Sequence, residues 1–146
     1  ETGDVLKASP TMKVSSDHTA GQKEAHEILA LSLAKTKKPK EVEKWAEGKP
    51  IWISWKLDGL TLVVTYDNGK LSKVVTRGDG HIGTNITHLS TAIHGIPQTI
   101  SEKGHLVIRG EAVISYEDFN QFVMESGEDY ANPRNLASGS LTLIDI

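Results

Sequence analysis

Leu60-Thr61-Leu62-Val63-Val64-Thr65-Tyr66, then Asp67-Asn68-Gly69, then Leu71-Ser72-Lys73-Val74-Val75-Thr76 is the stretch on which the fold turns. The first run is dominated by β-branched residues and the last returns in kind. The Asn and Gly between them tolerate the positive φ of a tight turn, so the stretch reads as an antiparallel hairpin. Upstream, Ile51-Trp52-Ile53-Ser54-Trp55-Lys56 reads as a further strand, buried by its Trp and Ile content, and Leu106 to Ile114 reads as another downstream. Thr87 to His94 reads as a short helix with Leu89, Ala92 and Ile93 inward. Ser115-Tyr116-Glu117-Asp118 has the pattern of a helix start, with Phe119, Phe122 and Val123 as the apolar face, and Asn135 to Leu143 as a last helix. Strands and helices interleave without a regular βαβ order. The class is therefore α+β, antiparallel sheets with interspersed helices.

Residues 1–50 read differently from 51–146. They are rich in Lys, Ser, Thr and Ala, with one short apolar stretch, Ile28 to Leu33, and a basic run from Lys35 to Lys44. Pro39 suits a first helical turn, and Val42, Trp45 and Ala46 then share one face. Glu41 and Glu43 dilute the basic run, which favours a solvated helix face over a nucleic-acid patch. The chain of 146 residues is one domain or part of one, and at that length roughly 70% of the unfolded surface can be buried. Hydrophobic residues at 38% and charged residues at 24% are a globular balance. A net charge of −3 means that any nucleic-acid contact has to come from a local patch. With no cysteine, disulfide scaffolds, thiol catalysis and cysteine zinc sites are excluded, and a reducing compartment fits. No apolar run approaches the roughly 20 residues that span a bilayer, and no signal peptide is visible.

Four clusters carry potential chemistry. Lys56-Leu57-Asp58-Gly59 puts a lysine where an apolar run breaks at a glycine. Burial destabilises an ammonium, and only the neutral amine, roughly one in a few thousand for an ordinary lysine at pH 7, is a nucleophile. Alternatively the lysine snorkels to water and Asp58 is a surface partner. Thr76-Arg77-Gly78-Asp79-Gly80-His81-Ile82-Gly83 satisfies the dinucleotide fingerprint G-x-G-x-x-G, with Glu102 at a suitable distance. Its preceding strand belongs to a tight antiparallel hairpin, which is wrong for a parallel βαβ unit. The better functional reading is a loop that brings Arg77 to a phosphate or sugar; a plain glycine-rich exit is the other. Arg109-Gly110-Glu111 places two charges on one face of an apolar strand, a polar pocket floor or an internal ion pair. Tyr130-Ala131-Asn132-Pro133-Arg134-Asn135 is a loop before a helix, in which Asn132 or Asn135 can cap and Arg134 can meet a phosphate or lie on the surface. The histidines show no metal-ligand spacing.

Taken in order, Trp55-Lys56-Leu57-Asp58-Gly59-Leu60, Thr76-Arg77-Gly78-Asp79-Gly80, Ile96-Pro97, Arg109-Gly110-Glu111 and Asn132-Pro133-Arg134-Asn135-Leu136-Ala137-Ser138-Gly139-Ser140-Leu141 resemble the adenylation domain of bacterial NAD-dependent DNA ligases. Ser9-Pro10-Thr11 and His26 to Lys37, with Ser32-Leu33, resemble the lead-in to that domain. The resemblance implies a partial nucleotidyltransferase domain over 1–146, with 1–50 as lead-in and 51–146 as nucleotide-binding core. It implies an enzyme, an NAD-dependent DNA ligase, that adenylates itself on Lys56, with NAD as AMP donor and nicked double-stranded DNA as partner. By the same resemblance Asp58 and Gly59 shape the ribose side, Arg77 contacts ribose or phosphate, and Glu111 accepts from a ribose hydroxyl. Ser32, Leu33, Ser54 and Leu57 lie near the nucleotide and Arg134 near phosphate or DNA. Magnesium is held through phosphates and waters, with no protein metal ligands, and the protein is a cytoplasmic monomer without a membrane segment.

The chain also departs from the family pattern. Ser54 stands where the family commonly has a glutamate, Gly83-Thr84-Asn85 replaces Gly-Glu-Asp, and Thr142 stands where an arginine usually follows Gly-Ser-Leu. The family's two later lysine-bearing motifs and its other modules are not in the chain, which fits a longer parent or a reduced paralogue. The alternative function is a non-catalytic nucleotide-binding or interaction module that keeps the fold. A Rossmann-type NAD binder is a third reading.

Overall fold

The computed structural model describes residues 21–143, with side chains to Leu141. Ser9-Pro10-Thr11 and the side chain of Thr142 lie outside the described residues. In chain order the elements are β1 (Lys23–Ala25), α1 (Pro39–Ala46), β2 (Leu60–Asp67), β3 (Lys70–Thr76), β4 (Ile82–Thr84), a 3-10 helix (Thr87–Ala92), β5 (His105–Ala112), α2 (Tyr116–Ser126) and α3 (Pro133–Leu143). The main sheet has the order β3-β2-β5 and is antiparallel throughout, while β1 and β4 form a second antiparallel pair. This is the α+β arrangement that the pattern predicts.

The hairpin forms as expected. Asn68 and Gly69 take positive φ, 50° and 77°, which matches the twist of the flanking strands. Alternation along β2 then divides the sheet into two faces. Leu62, Val64 and Tyr66 point to one, where they pack with Val74, Ile86 and Leu89 into the core. Leu106, Ala112 and Leu141 close around that cluster. Thr61, Val63 and Thr65 point to the other face.

Helix ends follow local chemistry. Pro39 opens α1, and Glu47 ends it in the left-handed conformation with its N–H on the Glu43 carbonyl. Ser115 caps α2 by accepting the Asp118 N–H at 3.0 Å and donating its hydroxyl to the Asp118 carboxylate at 2.7 Å. Asn132, and not Asn135, caps α3 by accepting the Asn135 N–H at 2.9 Å.

Three expectations need correction. Ile51 to Asp58 forms no strand and is exposed throughout, with Trp52, Ile53 and Trp55 at 101%, 87% and 93%. Both edges of the central strand are already occupied by β3 and β5, so this run has no partner there. Apolar composition drives burial only where a surface exists to receive it. The segment Thr87–Ala92 is a 3-10 helix: Leu89 bonds back three residues to the Ile86 carbonyl at 2.9 Å. Leu89 is buried and Ile93 half-buried, but Ala92 is exposed. The apolar face of α2 is shallow, since Phe119 and Val123 are half-buried and Phe122 is exposed.

The dinucleotide-binding reading also fails on topology. Strand β3 is antiparallel to β2, and the glycine loop leads into β4, not into a helix. Gly78 and Gly80 take φ of 55° and 96°, and a side chain at Gly83 would run into the Thr76 carbonyl. These glycines serve a tight loop packed on its own strand.

Candidate active site

The face of the sheet away from the core carries the polar residues. In register, Thr61 of β2 lies beside Glu111 of β5, and Val63 beside Arg109. On the other side of β2, the Arg77 N–H donates to the Thr61 carbonyl at 2.9 Å. Arg77, Thr61 and Glu111 therefore form a row across the end of the sheet.

Glu111 is half-buried and anchors that row. One carboxylate oxygen accepts the Gly59 N–H at 3.2 Å and the other accepts the Thr61 hydroxyl at 2.8 Å. Gly59 is buried, and a Cβ there would strike the Ala112 carbonyl. The glycine is thus required by the close approach of the chain to β5. One residue earlier, Asp58 pairs with Arg134 of α3 at 3.1 Å, in an exposed contact. The two ends of the Lys56-Leu57-Asp58-Gly59 motif are fixed differently. Gly59 and Asp58 are tied to β5 and α3, whereas Lys56 and Leu57 are exposed. The expectation of a lysine buried in a strand is therefore not met.

The lead-in segment runs across this face. Glu24 pairs with Lys73 at 2.8 Å, and Lys73 lies beside Thr65. Hydrogen bonding to Lys73 holds the Glu24 carboxyl below its usual range. Glu27 contacts His105 Nε2 at 2.9 Å, and Asp67 contacts His105 Nδ1 at 2.7 Å. Further along, Arg109 Nη1 donates to the Leu31 carbonyl at 3.0 Å, and Arg77 Nη1 to the Ser32 hydroxyl at 3.1 Å. The segment thus travels from the hairpin end of the sheet to the Arg77–Thr61–Glu111 row. Val63 and Thr65 are buried even though they face away from the core. The glycine loop is braced beside it: Asp79 accepts the N–H groups of Ile82 and His81, both at 2.8 Å, which hold its carboxyl below the usual range.

Of the residues singled out in the sequence, Ser32 meets Arg77, Gly59 meets Glu111, and Asp58 meets Arg134. Leu33, Ser54, Lys56 and Leu57 are exposed and are not drawn into these contacts. Thr61 joins the site without any signal in the sequence. Its hydroxyl matters only because the strand register sets it beside Glu111. Among the described residues no three His, Asp or Glu side chains gather in a way that would hold a metal ion. No helix among them is long and apolar enough to cross a membrane. A mainly apolar cleft of about 570 Å³ lies on the core side of the sheet, bordered by Leu62, Val64, Tyr66, Ile108 and Leu141. Of the candidate site residues only Glu111 borders it.

Residues 19–146 match the family described as the NAD-dependent DNA ligase adenylation domain. The chain belongs to that family. Its relatives include a DNA ligase of Lachnoclostridium phytofermentans, 47% identical over 97% of this chain and 22% of that protein. A DNA ligase of Ruminiclostridium cellulolyticum is 46% identical, again over 97% of this chain and 22% of its own length. One from Leptospira biflexa is 40% identical over 92% of the chain and 21% of its length. The chain thus spans about a fifth of the curated relatives it matches. As a segment of a ligase adenylation domain, it presents the polar face of its sheet with the lysine motif at one end.

Proposed function

We propose that this chain is the part of an NAD-dependent DNA ligase that accepts AMP on Lys56. The Lys56 amine, after losing a proton to solvent, attacks the α-phosphorus of NAD. An N–P bond forms, and the P–O bond to nicotinamide mononucleotide breaks, with the electron pair leaving on its phosphate oxygen. AMP then passes from the lysine to the 5′-phosphate of a nick in duplex DNA. The 3′-hydroxyl displaces AMP and closes the strand.

The observation that carries this reading is the Arg77–Thr61–Glu111 row with Gly59 fixed on Glu111. It fixes Gly59, the last residue of the lysine motif, on a carboxylate at the end of the sheet where Arg77 pairs with Thr61. Arg77 offsets phosphate charge as it builds in the transition state. Each Glu111 oxygen has a second lone pair and accepts a ribose hydroxyl without releasing Gly59 or Thr61. Asp58 and Gly59 shape the ribose side, Ser32 and Leu33 cover the nucleotide, and Ser54 and Leu57 border the base. Arg134 lies toward phosphate or DNA. Lys56 is exposed in the chain, so its side chain is free to reach the nucleotide without leaving a packed position. Magnesium enters only as a counter-ion to the phosphates, and no step is routed through it. Residues 1–50 act as the lead-in over the site, 51–146 as the nucleotide-binding core, and the protein works as a monomer.

The exposed Ile51–Asp58 run and the serine at position 54 favour a second reading, a non-catalytic module that keeps the fold. One experiment separates the two. The full-length protein is incubated with NAD and magnesium, and peptides are searched by mass spectrometry for AMP on Lys56. An adduct with release of nicotinamide mononucleotide supports the ligase reading. A folded protein with no adduct at high NAD supports the module.

A further inference from the structure

We propose that Arg109 is a positioning residue: by holding the Leu31 carbonyl it orients the Ser32–Leu33 segment over the nucleotide. This rests on the function proposed above and adds a residue to it. Arg109 lies on β5 two residues before Glu111, so both side chains leave the same face of the sheet. Its Nη1 donates to the Leu31 carbonyl at 3.0 Å across 78 positions of sequence. Arg77 holds the next residue, donating to the Ser32 hydroxyl at 3.1 Å. Residues 31 and 32 are therefore gripped from opposite sides of the central strand, one by its backbone and one by its side chain.

The grip on the backbone has a directional consequence. The Leu31 carbonyl and the Ser32 N–H belong to one planar trans peptide and point opposite ways. With the carbonyl turned to Arg109, the Ser32 N–H is aimed away from β5. Just upstream the chain is already fixed, since Ala30 is buried and its N–H donates to the Gly80 carbonyl at 2.9 Å. Leu33 is 77% exposed. Arg109 therefore acts at the junction between a fixed stretch and an open one. There a single charged donor decides which way the peptide faces. Arg109 is itself exposed and is not a member of the core.

The test uses Arg109→Met, which keeps the apolar stem and removes the donors, and Arg109→Lys, which restores a cationic donor. In the full-length protein the rate of Lys56 adenylation is followed against NAD concentration. Loss of one charge-assisted contact that serves binding equally in ground and transition states raises KM by about tenfold or more and leaves kcat within about twofold. The lysine variant recovers part of the loss. Amide exchange at 31–33 accelerates in Arg109→Met while the β2 and β3 amides stay protected. A KM unchanged by Arg109→Met, with Lys56 adenylation intact, overturns the inference and leaves the proposed function standing. Faster exchange across β2 and β3 as well, with kcat and KM both degraded, also overturns it, in favour of a merely structural role. Absence of any Lys56-dependent adduct in the unaltered protein overturns both.

Discussion

Glu111 and Gly59 lie 52 positions apart and are joined by a hydrogen bond of 3.2 Å from the glycine N–H to the carboxylate. The same carboxylate holds the Thr61 hydroxyl. One side chain thereby sets where the lysine motif leaves the sheet, and it does so at the point where Arg77 arrives from the other side.

Replacing Lys56 is expected to remove the proposed chemistry without removing the fold. Lys56→Ala in the full-length protein is expected to abolish AMP transfer. Because the side chain is exposed, stability should shift by less than about 0.5 kcal/mol. Mass spectrometry after incubation with NAD, paired with a urea melt, reads both. An AMP adduct persisting in Lys56→Ala would refute the assignment.

Glu111→Ala strands two donors, the Gly59 N–H and the Thr61 hydroxyl. Leaving such partners unsatisfied costs about 1–3 kcal/mol. A urea melt should show this loss, with Glu111→Gln milder because the amide oxygen still accepts. Unaltered stability in Glu111→Ala would mean that the carboxylate does not anchor the motif.

Gly59→Ala should be worse than its size suggests. Its Cβ meets the Ala112 carbonyl, a backbone atom that cannot rotate away. Overpacking of this kind costs about 1–3 kcal/mol and here also shifts the lysine motif. Chemical denaturation, together with the rate of adduct formation, tests both consequences. Gly48→Ala is a useful contrast: no atom lies in the path of its Cβ, and only its φ of 74° resists.

His105 links the sheet to the lead-in through Asp67 and Glu27. The Asp67 hydrogen bond, then that of Glu27, hold its imidazole above the ordinary value of 6.5. Its contribution to stability is therefore present in full below 6.5 and is lost as pH rises through the raised value. Asp67 is held below its ordinary 3.8, chiefly by His105, so its share is lost as pH falls through that lowered value. The link is strongest between the two. Thermal melts at about pH 5.5 and about pH 8.5 should show a larger deficit for His105→Gln at the lower pH. An equal deficit at both would mean that the charge on His105 does not matter.

Trp52 and Trp55 give a test of the corrected strand. Both are almost fully exposed. In this chain Trp52→Ser or Trp55→Ser should change stability by less than about 0.5 kcal/mol, and their fluorescence should be open to a soluble quencher. A loss of several kcal/mol would show that the segment is core after all.

The hairpin, its turn, strand β5 and the caps of α2 and α3 were legible because each rests on neighbours in sequence: β-branched runs, an Asn-Gly pair, and Ser or Asn before a helix. The exposure of Ile51 to Lys56 is not legible in the sequence, for the opposite reason. Its composition speaks of an apolar surface, but whether a surface covers it depends on which strands take the edges of the sheet.

By itself the amino-acid sequence determined the α+β class, the order of the motifs and the family, since these reside in local pattern and spacing. Only the tertiary structure decided that Thr61 stands beside Glu111, that Ser32 and Leu31 are held by Arg77 and Arg109, and that Asp58 turns to Arg134. Those contacts join residues as many as 78 positions apart. They depend on strand register and on the path of the lead-in across the sheet, and a slip of one residue in either would point each of these side chains to the other face.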